Sequence, residues 1–318
     1  MDYAYDVIII GGGVVGSSIA RELSKYKLNT CVLEKELDVC CETSGRNSGV
    51  LHAGFNNKAG SLMAKFCVEG NENFDEIAKE LDIPFKRTGK LVVGFNEEDK
   101  EKLIKMKEQG EANGVKGLEI INKDKIRKLS PYVEGNFALY SPQTGILNPF
   151  IYTIAMAENA VSNGVKYFLD NEVLDIKKVL EKESSIFKIK TNKNVYRSKW
   201  LINSAGLNSY KIGKMMGIED YTIYPCRGEY FILDQKLGKY LNMPAYPVPN
   251  EKMGGLGIHL TPSIDGNVFI GPSSEYINSK DDYSTTKEVM DLLIEDGGRI
   301  FSHIKKEYFI RNFSGIRP

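Results

Sequence analysis

The chain has 318 residues, with 42 basic and 42 acidic side chains and no net formal charge. That length holds one large domain or two interleaved ones, and the charge balance argues against a general nucleic-acid or anionic-membrane binder. The five cysteines, Cys31, Cys40, Cys41, Cys67 and Cys226, include no C-x-x-C pair, which argues against a disulfide framework and makes a reducing cytoplasm the simplest expectation.

The first element is the apolar run YDVIII at 5–10, of buried-strand type. Asp2 and Asp6 precede it where a signal peptide needs basic residues, and no stretch approaches the ~20 apolar residues of a membrane span. A soluble protein is expected, with peripheral contact at the inner membrane face left open. GGGVVG follows, then a helical pattern at 17–26 and a second strand, NTCVLEK, at 29–35. This is a strand–turn–helix–strand unit. A single helix is expected over 61–82, a strand over 89–95, and a charged, solvated helix over 97–114. PFIYTIAMAENAVSNG at 149–164 opens on proline and stops at glycine, as a helix does. Strands follow at 165–170, 172–179 and 187–192, and KWLINSAG at 199–206 reads as a buried strand. The stretches 224–234, 256–262 and 267–272 look antiparallel, with a hairpin turn at 265–267, and 285–301 reads as a helix carried on to His303. The pattern predicts an α/β fold in which a Rossmann-like domain (1–83 and 147–220) is interleaved with an α+β substrate domain built on an antiparallel sheet (84–146 and 221–311).

Gly11, Gly13 and Gly16 form G-x-G-x-x-G directly after a strand and before a helix. In that context the first glycine permits a tight turn, the second lets backbone approach a pyrophosphate, and the third lets helix and strand pack closely. The helix N-terminus then offers free N–H groups and a positive dipole end. Glu34 lies eighteen residues after Gly16, where a carboxylate accepts ribose hydroxyls. Both FAD and NAD use this fingerprint. Its place at the extreme N-terminus, and INSAG at 202–206 with Ala205 and Gly206 ending a late strand, lean toward FAD.

Beyond these elements the chain resembles the D-amino-acid-oxidase-like superfamily of FAD oxidoreductases. Within it, it resembles the branch holding L-2-hydroxyglutarate dehydrogenases/oxidases and FAD-dependent glycerol-3-phosphate dehydrogenases and oxidases. The matching stretches include IIIGGGVVGSSIARELSKY, TSGRNSGVLHAGF, GKLVVGF, INSAGL, CRGEYF, YPVP, GLGIHLTPSIDGNVFIGP and FSGIRP, which run from residue 8 to residue 318 of the chain. YPVP with LGIHLTP favours the hydroxyglutarate type, and TSGRNSGVLHAG, KDDYSTT and NFSGIRP the glycerol-phosphate type. The resemblance implies an FAD site at Gly11, Gly13, Gly16, Glu34, Lys35, Thr43, Ser44, Val173, Ala205 and Gly206. It also implies that relatives continue past G-I-R-P into a strand and helix at the flavin, a segment expected to be missing after Pro318.

The implied reaction moves a hydride from a carbinol carbon to flavin N5. Histidine suits removal of the hydroxyl proton near neutral pH, so His52 and His259 are the candidate bases; His303 is expected to be structural or at the surface. An anionic substrate needs a positive anchor. Arg317 is the first candidate and Arg227 the second, because a guanidinium fork matches carboxylate or phosphate. Arg46 is expected either to contact cofactor phosphate or to be exposed, Ser48 to offer a hydrogen bond, and Cys67 and Cys226 to be small buried residues. The expected reaction is oxidation of a small anionic secondary alcohol, with quinone, oxygen or an iron–sulfur partner as acceptor and with no metal and no nucleic acid. The alternatives are an amine or glycine oxidase of the same superfamily, a non-catalytic flavin-binding electron-transfer subunit, and a bare NAD-binding protein.

Overall fold

The computed structural model describes residues 2–181, 184–248 and 258–318. Strand β1 (Asp2–Ile10) is paired on both sides by parallel neighbours, so both its faces are covered and its apolar run is continuous rather than alternating. The glycine turn leads into α1 (Val14–Leu23) and β2 (Thr30–Leu33). The chain then leaves this layer through β3 (Val50–Leu51), α2 (Leu62–Glu72), α3 (Phe74–Glu80) and β4 (Phe85–Lys86). It builds β5 (Lys90–Gly94), α4 (Glu97–Ala112), β6 (Glu119–Asn122), α5 (Lys123–Leu129) and β7 (Phe137–Ser141). It returns by β8 (Gly145–Leu147) and α6 (Pro149–Ser162), whose N-cap Asn148 side chain accepts from two backbone N–H groups, to β9 (Lys166–Phe168). A meander of β10 (Val173–Glu181), β11 (Ser184–Thr191) and β12 (Val195–Asn203) follows, then α7 (Ser209–Met215). The last part holds β13 (Cys226–Leu233), β14 (Ala245–Pro247), β15 (Leu260–Pro262), β16 (Val268–Ile270), β17 (Glu275–Tyr276), α8 (Lys287–Ile300) and β18 (Phe309–Arg317).

The first sheet runs β10-β11-β12-β1-β2-β9, with β12, β1, β2 and β9 parallel. Its two faces carry separate cores. Val7, Ile9 and Val32 pack with Ala20 and Ala160 of α1 and α6, and Ile8, Ile10, Cys31 and Leu33 pack with Ile176, Ile189 and Ile212. The second sheet runs β17-β13-β16-β15-β14-β5-β7-β6, and β18 pairs along the other edge of β13. It is antiparallel except where β14 runs parallel to β5. Leu91 and Val93 face the core shared with Leu293 and Ile300 of α8, while Val92 faces the core of Ala53, Phe55, Leu103 and Tyr246. A three-stranded sheet, β3-β8-β4, lies where the chain crosses from one layer to the other. The fold is thus a mixed α/β fold with a Rossmann-type layer and an antiparallel layer, as the element pattern predicts.

Several local expectations are corrected. The stretch 61–82 is two helices, because Asn73 turns its amide back onto the Glu69 carbonyl and α3 restarts after it. The end of β12 is not buried: Trp200 is 70% exposed, because α1 and α6 sit over β1 and β2 and leave this side of the face open. His259 directly precedes β15 rather than lying in it, and residues 256 and 257 of that expected strand lie outside the described residues, as does Pro249 of YPVP. His303 follows α8 in a turn, where it stacks among Tyr132, Tyr240 and Phe301. β18 carries the antiparallel sheet on to Arg317, past the expected bound at 311.

Candidate functional site

Gly11 has φ +107°, and a Cβ there would lie 2.5 Å from the Ser204 carbonyl oxygen. A Cβ at Gly16 would lie 1.9 Å from the Gly11 carbonyl oxygen, so α1 reaches β1 only because this residue has no side chain. α1 carries no acid in its first turn. The Val14 N–H donates to Ser44 Oγ at 2.9 Å, which ties the following loop to the helix N-terminus. The Glu34 carboxylate accepts from the Gly12 N–H (2.5 Å) and the Glu36 N–H (2.9 Å), and each oxygen keeps lone-pair capacity for a ribose hydroxyl.

These groups open onto a cavity of about 880 Å³. Of the expected cofactor residues, Gly11, Gly13, Glu34, Lys35, Thr43, Ser44, Val173, Ala205 and Gly206 line it. Gly16 packs beneath it, and Lys35 is paired with Glu36 and Glu42 at 2.8 and 2.6 Å. Another stretch of the same wall holds His52, Cys67, Asn71 and Phe74. A glycine cradle that any Cβ would fill, a helix N-terminus without an acid and a carboxylate at the ribose position fit the ADP moiety of a dinucleotide. The continuous wall from there to His52 leaves room for a flavin.

The loop at 43–54 is held by β18. Thr43 Oγ1 donates to the Ile316 carbonyl at 2.7 Å, and a Cβ at Gly315 would lie 2.1 Å from the Arg46 carbonyl oxygen. Asn47 staples the loop to itself, donating to the Ser44 carbonyl (2.8 Å) and accepting from the Gly49 N–H (2.9 Å). Ser48 does not line the cavity; its hydroxyl is hydrogen-bonded to the buried Tyr230 phenol. Arg46 neither reaches the cavity nor is exposed; it lies over the Tyr283 ring at 4.1 Å.

The two candidate bases come close to each other beside a lysine that sequence reasoning missed. Strand alternation places Lys90 on the face of β5 that also carries Val92, opposite Leu91 and Val93. Tyr246 pairs with Val92, and His259 stacks on Tyr246 with ring centroids 4.2 Å apart. Lys90 Nζ sits 4.0 Å from the Tyr246 ring centroid, is 1% exposed, and has no hydrogen-bond partner among the described residues. Burial drives the Lys90 amine down to about 7, so its attraction to the Tyr246 ring, ~1–2 kcal/mol, does not offset lost hydration. His52 opens into the cavity while protein encloses it on its other sides. Crowding by the surrounding protein first, and the Lys90 charge second, lower its imidazole below the usual histidine range, although the ring is exposed on its cavity side. Burial, then Lys90, then His52 hold His259 well below the usual histidine range. Cys67 is half-buried at the cavity wall rather than buried, with its thiol 3.5 Å from the His52 carbonyl.

The two arginines stand apart from this cluster. Arg227 is engaged by carboxylates within the chain. Its guanidinium is bound by Asp282 and Glu275 at 2.7 Å each, with Glu229 at 3.8 Å, and does not line the cavity. Arg317 pairs across from Cys226 and donates to Ser274 Oγ at 3.3 Å; Pro318, not Arg317, lines the cavity. Among the described residues no cluster of metal ligands occurs, and no helix is long and apolar enough to cross a membrane.

The chain was compared with known proteins. A family model described as FAD dependent oxidoreductase matches residues 6–318. A glycerol 3-phosphate dehydrogenase of Caloramator mitchellensis is 42% identical over 315 residues, covering 98% of this chain and 64% of that protein. A mitochondrial L-2-hydroxyglutarate dehydrogenase of Nematostella vectensis is 35% identical over 305 residues, covering 92% of this chain and 66% of that protein. The chain thus spans about two thirds of the length of these relatives. Among solved structures, dithionite-reduced L-alpha-glycerophosphate oxidase from Mycoplasma pneumoniae with FAD bound superposes with a TM-score of 0.90 at 27% identity, covering 99% of this chain and 83% of that one. The chain belongs to the family of FAD-dependent oxidoreductases.

Proposed function

We propose that this chain carries the FAD site and the alcohol site of an oxidoreductase acting on a small anionic secondary alcohol, of the L-2-hydroxyglutarate type or glycerol 3-phosphate. The observation that carries this reading is the single cavity joining the glycine cradle and Glu34 to His52. The relatives named for these two alcohols support the substrate class. Bound FAD would supply the two-electron acceptor for the carbinol carbon. In this reading residues 1–83 and 147–220 hold the cofactor, and residues 84–146 and 221 onward hold the substrate.

The chain's own groups divide the remaining work. His52, the histidine that lines the cavity, takes the hydroxyl proton. It is neutral at working pH and so free to accept. An anionic substrate beside it raises its basicity when needed, because a nearby negative charge favours the imidazolium. His259, stacked on Tyr246, flanks it from the sheet. Asn71 fixes the His52 backbone by donating to its carbonyl at 3.0 Å. Thr43 and Ser44 hold the loop in place, and Phe74 excludes water from its part of the wall.

The test is anaerobic mixing of the FAD-loaded protein with each alcohol while flavin absorbance is followed. Bleaching by sn-glycerol 3-phosphate or L-2-hydroxyglutarate is expected. Bleaching by glycine or sarcosine alone would establish the amine-oxidase alternative instead, and no bleaching by any of them would leave a non-catalytic flavoprotein.

A further inference from the structure

Lys90 is a fully buried amine with no hydrogen-bond partner among the described residues. Such a group costs stability unless something compensates it. The groups that face it are these: from β14 the Tyr246 phenol, whose hydroxyl accepts from the Asn56 amide; ahead of β15 His259; from the 52–55 segment His52 and the Phe55 ring; and from α2 Cys67. Two of these are basic, and among the described residues no carboxylate acts on Lys90, His52 or His259. Several other buried or half-buried cations in the described chain are answered directly: Arg227 by Asp282 and Glu275, Arg87 by Asp75, Arg21 by Glu80 and Lys35 by Glu42. Among the described residues this basic cluster has no anion, and it borders the cavity at His52 and Cys67, while Lys90 itself does not line it.

We propose that Lys90 is the counter-charge for the anionic group of the substrate, taking up a proton from solvent when a carboxylate or phosphate enters the cavity beside His52. This deepens the reading of function given above and rests on it for the identity of the anion. The one bond formed is N–H at Lys90 Nζ, the one broken is that of the proton to water or buffer acid, and nothing is oxidised or reduced. Lys90 acts as a positioning residue, setting the charge of a pocket whose wall is His52. A neutral amine in the empty pocket avoids a buried charge, and an ammonium in the occupied one balances the anion. Burial that brings Lys90 down to about 7 leaves the two protonation states close in energy, which is what lets one anion switch them.

The experiment is isothermal titration of the FAD-loaded protein with glutarate and, separately, with inorganic phosphate. Neither is oxidised at a carbinol carbon. Each is measured near pH 8 in two buffers of different ionisation enthalpy. Wild type is expected to take up close to one proton per bound anion. Lys90→Met should lose that uptake and bind the anion roughly 100-fold more weakly. Lys90→Arg, permanently charged, should bind the anion with no uptake, and it carries the test if Lys90→Met does not fold. The arm with the tighter anion separates the carboxylate from the phosphate source. Unchanged affinity and uptake in both variants would overturn the proposal, as would absence of binding by either anion in wild type. If flavin is bleached only by amines while Lys90-dependent uptake persists, the alcohol reading fails and the counter-charge role stands.

Discussion

The cavity has two stretches of wall made in different ways. Around α1 the wall is backbone. Gly11, Gly13 and Gly16 lie within six residues of one another, and Ser44 returns to the Val14 N–H. Around His52 the wall is side chain. His52, Cys67, Asn71 and Phe74 line it, and Lys90, Tyr246 and His259, from three further segments, stand behind His52 without lining the cavity; Lys90 has no hydrogen-bond partner among the described residues. The first stretch specifies a shape. The second holds uncompensated basic groups and specifies a charge. Stability is given up where a ligand must be answered, a pattern expected of functional sites.

Breaking the backbone stretch should have the largest effect. Gly16→Val drives a side chain into the Gly11 carbonyl, and expression should yield protein without yellow colour, or no folded protein, by absorbance and circular dichroism. Removing a group from the side-chain stretch should act on chemistry alone: His52→Ala is expected to lower the rate of flavin reduction by roughly 10²–10⁴-fold with the melting temperature nearly unchanged.

A pH series sharpens the contrast further. The folded Lys90 amine sits near 7 while the unfolded chain holds it near 10.4. Folding therefore releases a proton between those values. The penalty is complete below about pH 7 and relieved as pH rises toward 10. Urea titrations should show wild type gaining on Lys90→Met by a few kcal/mol, on the order of 3–4, across that window. Lys90→Met should be the more stable of the two at pH 7. Arg227→Met should cost about 2–4 kcal/mol, because it leaves buried Glu229 without its cation, yet leave anion affinity as it was. Ser44→Ala, which frees the Val14 N–H, should cost about 1 kcal/mol and a few-fold in FAD affinity.

The backbone stretch was legible because its information is local: a fingerprint, a helix start and an acid at fixed spacing. The loop at 43–54 was legible through its histidine and its glycines. Lys90 was not, although a signal existed. A lysine opening LVVG, in a strand whose neighbours Leu91 and Val92 are both buried, must point into protein on either face. The ion pairs of Arg227 were not legible because its partners Glu275 and Asp282 lie 48 and 55 residues away, where spacing says nothing. β18 and its clamp on Thr43 were missed for the same reason: the two are 273 residues apart. Ser48 was expected to offer a hydrogen bond, and the partner it has within the chain is the Tyr230 phenol, which no spacing in the sequence could point to.

The most direct measurement compares FAD-loaded wild type and His52→Ala by anaerobic rapid mixing with sn-glycerol 3-phosphate and with L-2-hydroxyglutarate. The cavity geometry predicts that both proteins hold FAD equally, that wild type is bleached by one of the alcohols, and that His52→Ala is bleached at least about 100-fold more slowly. Equal rates of bleaching in the two proteins would contradict it.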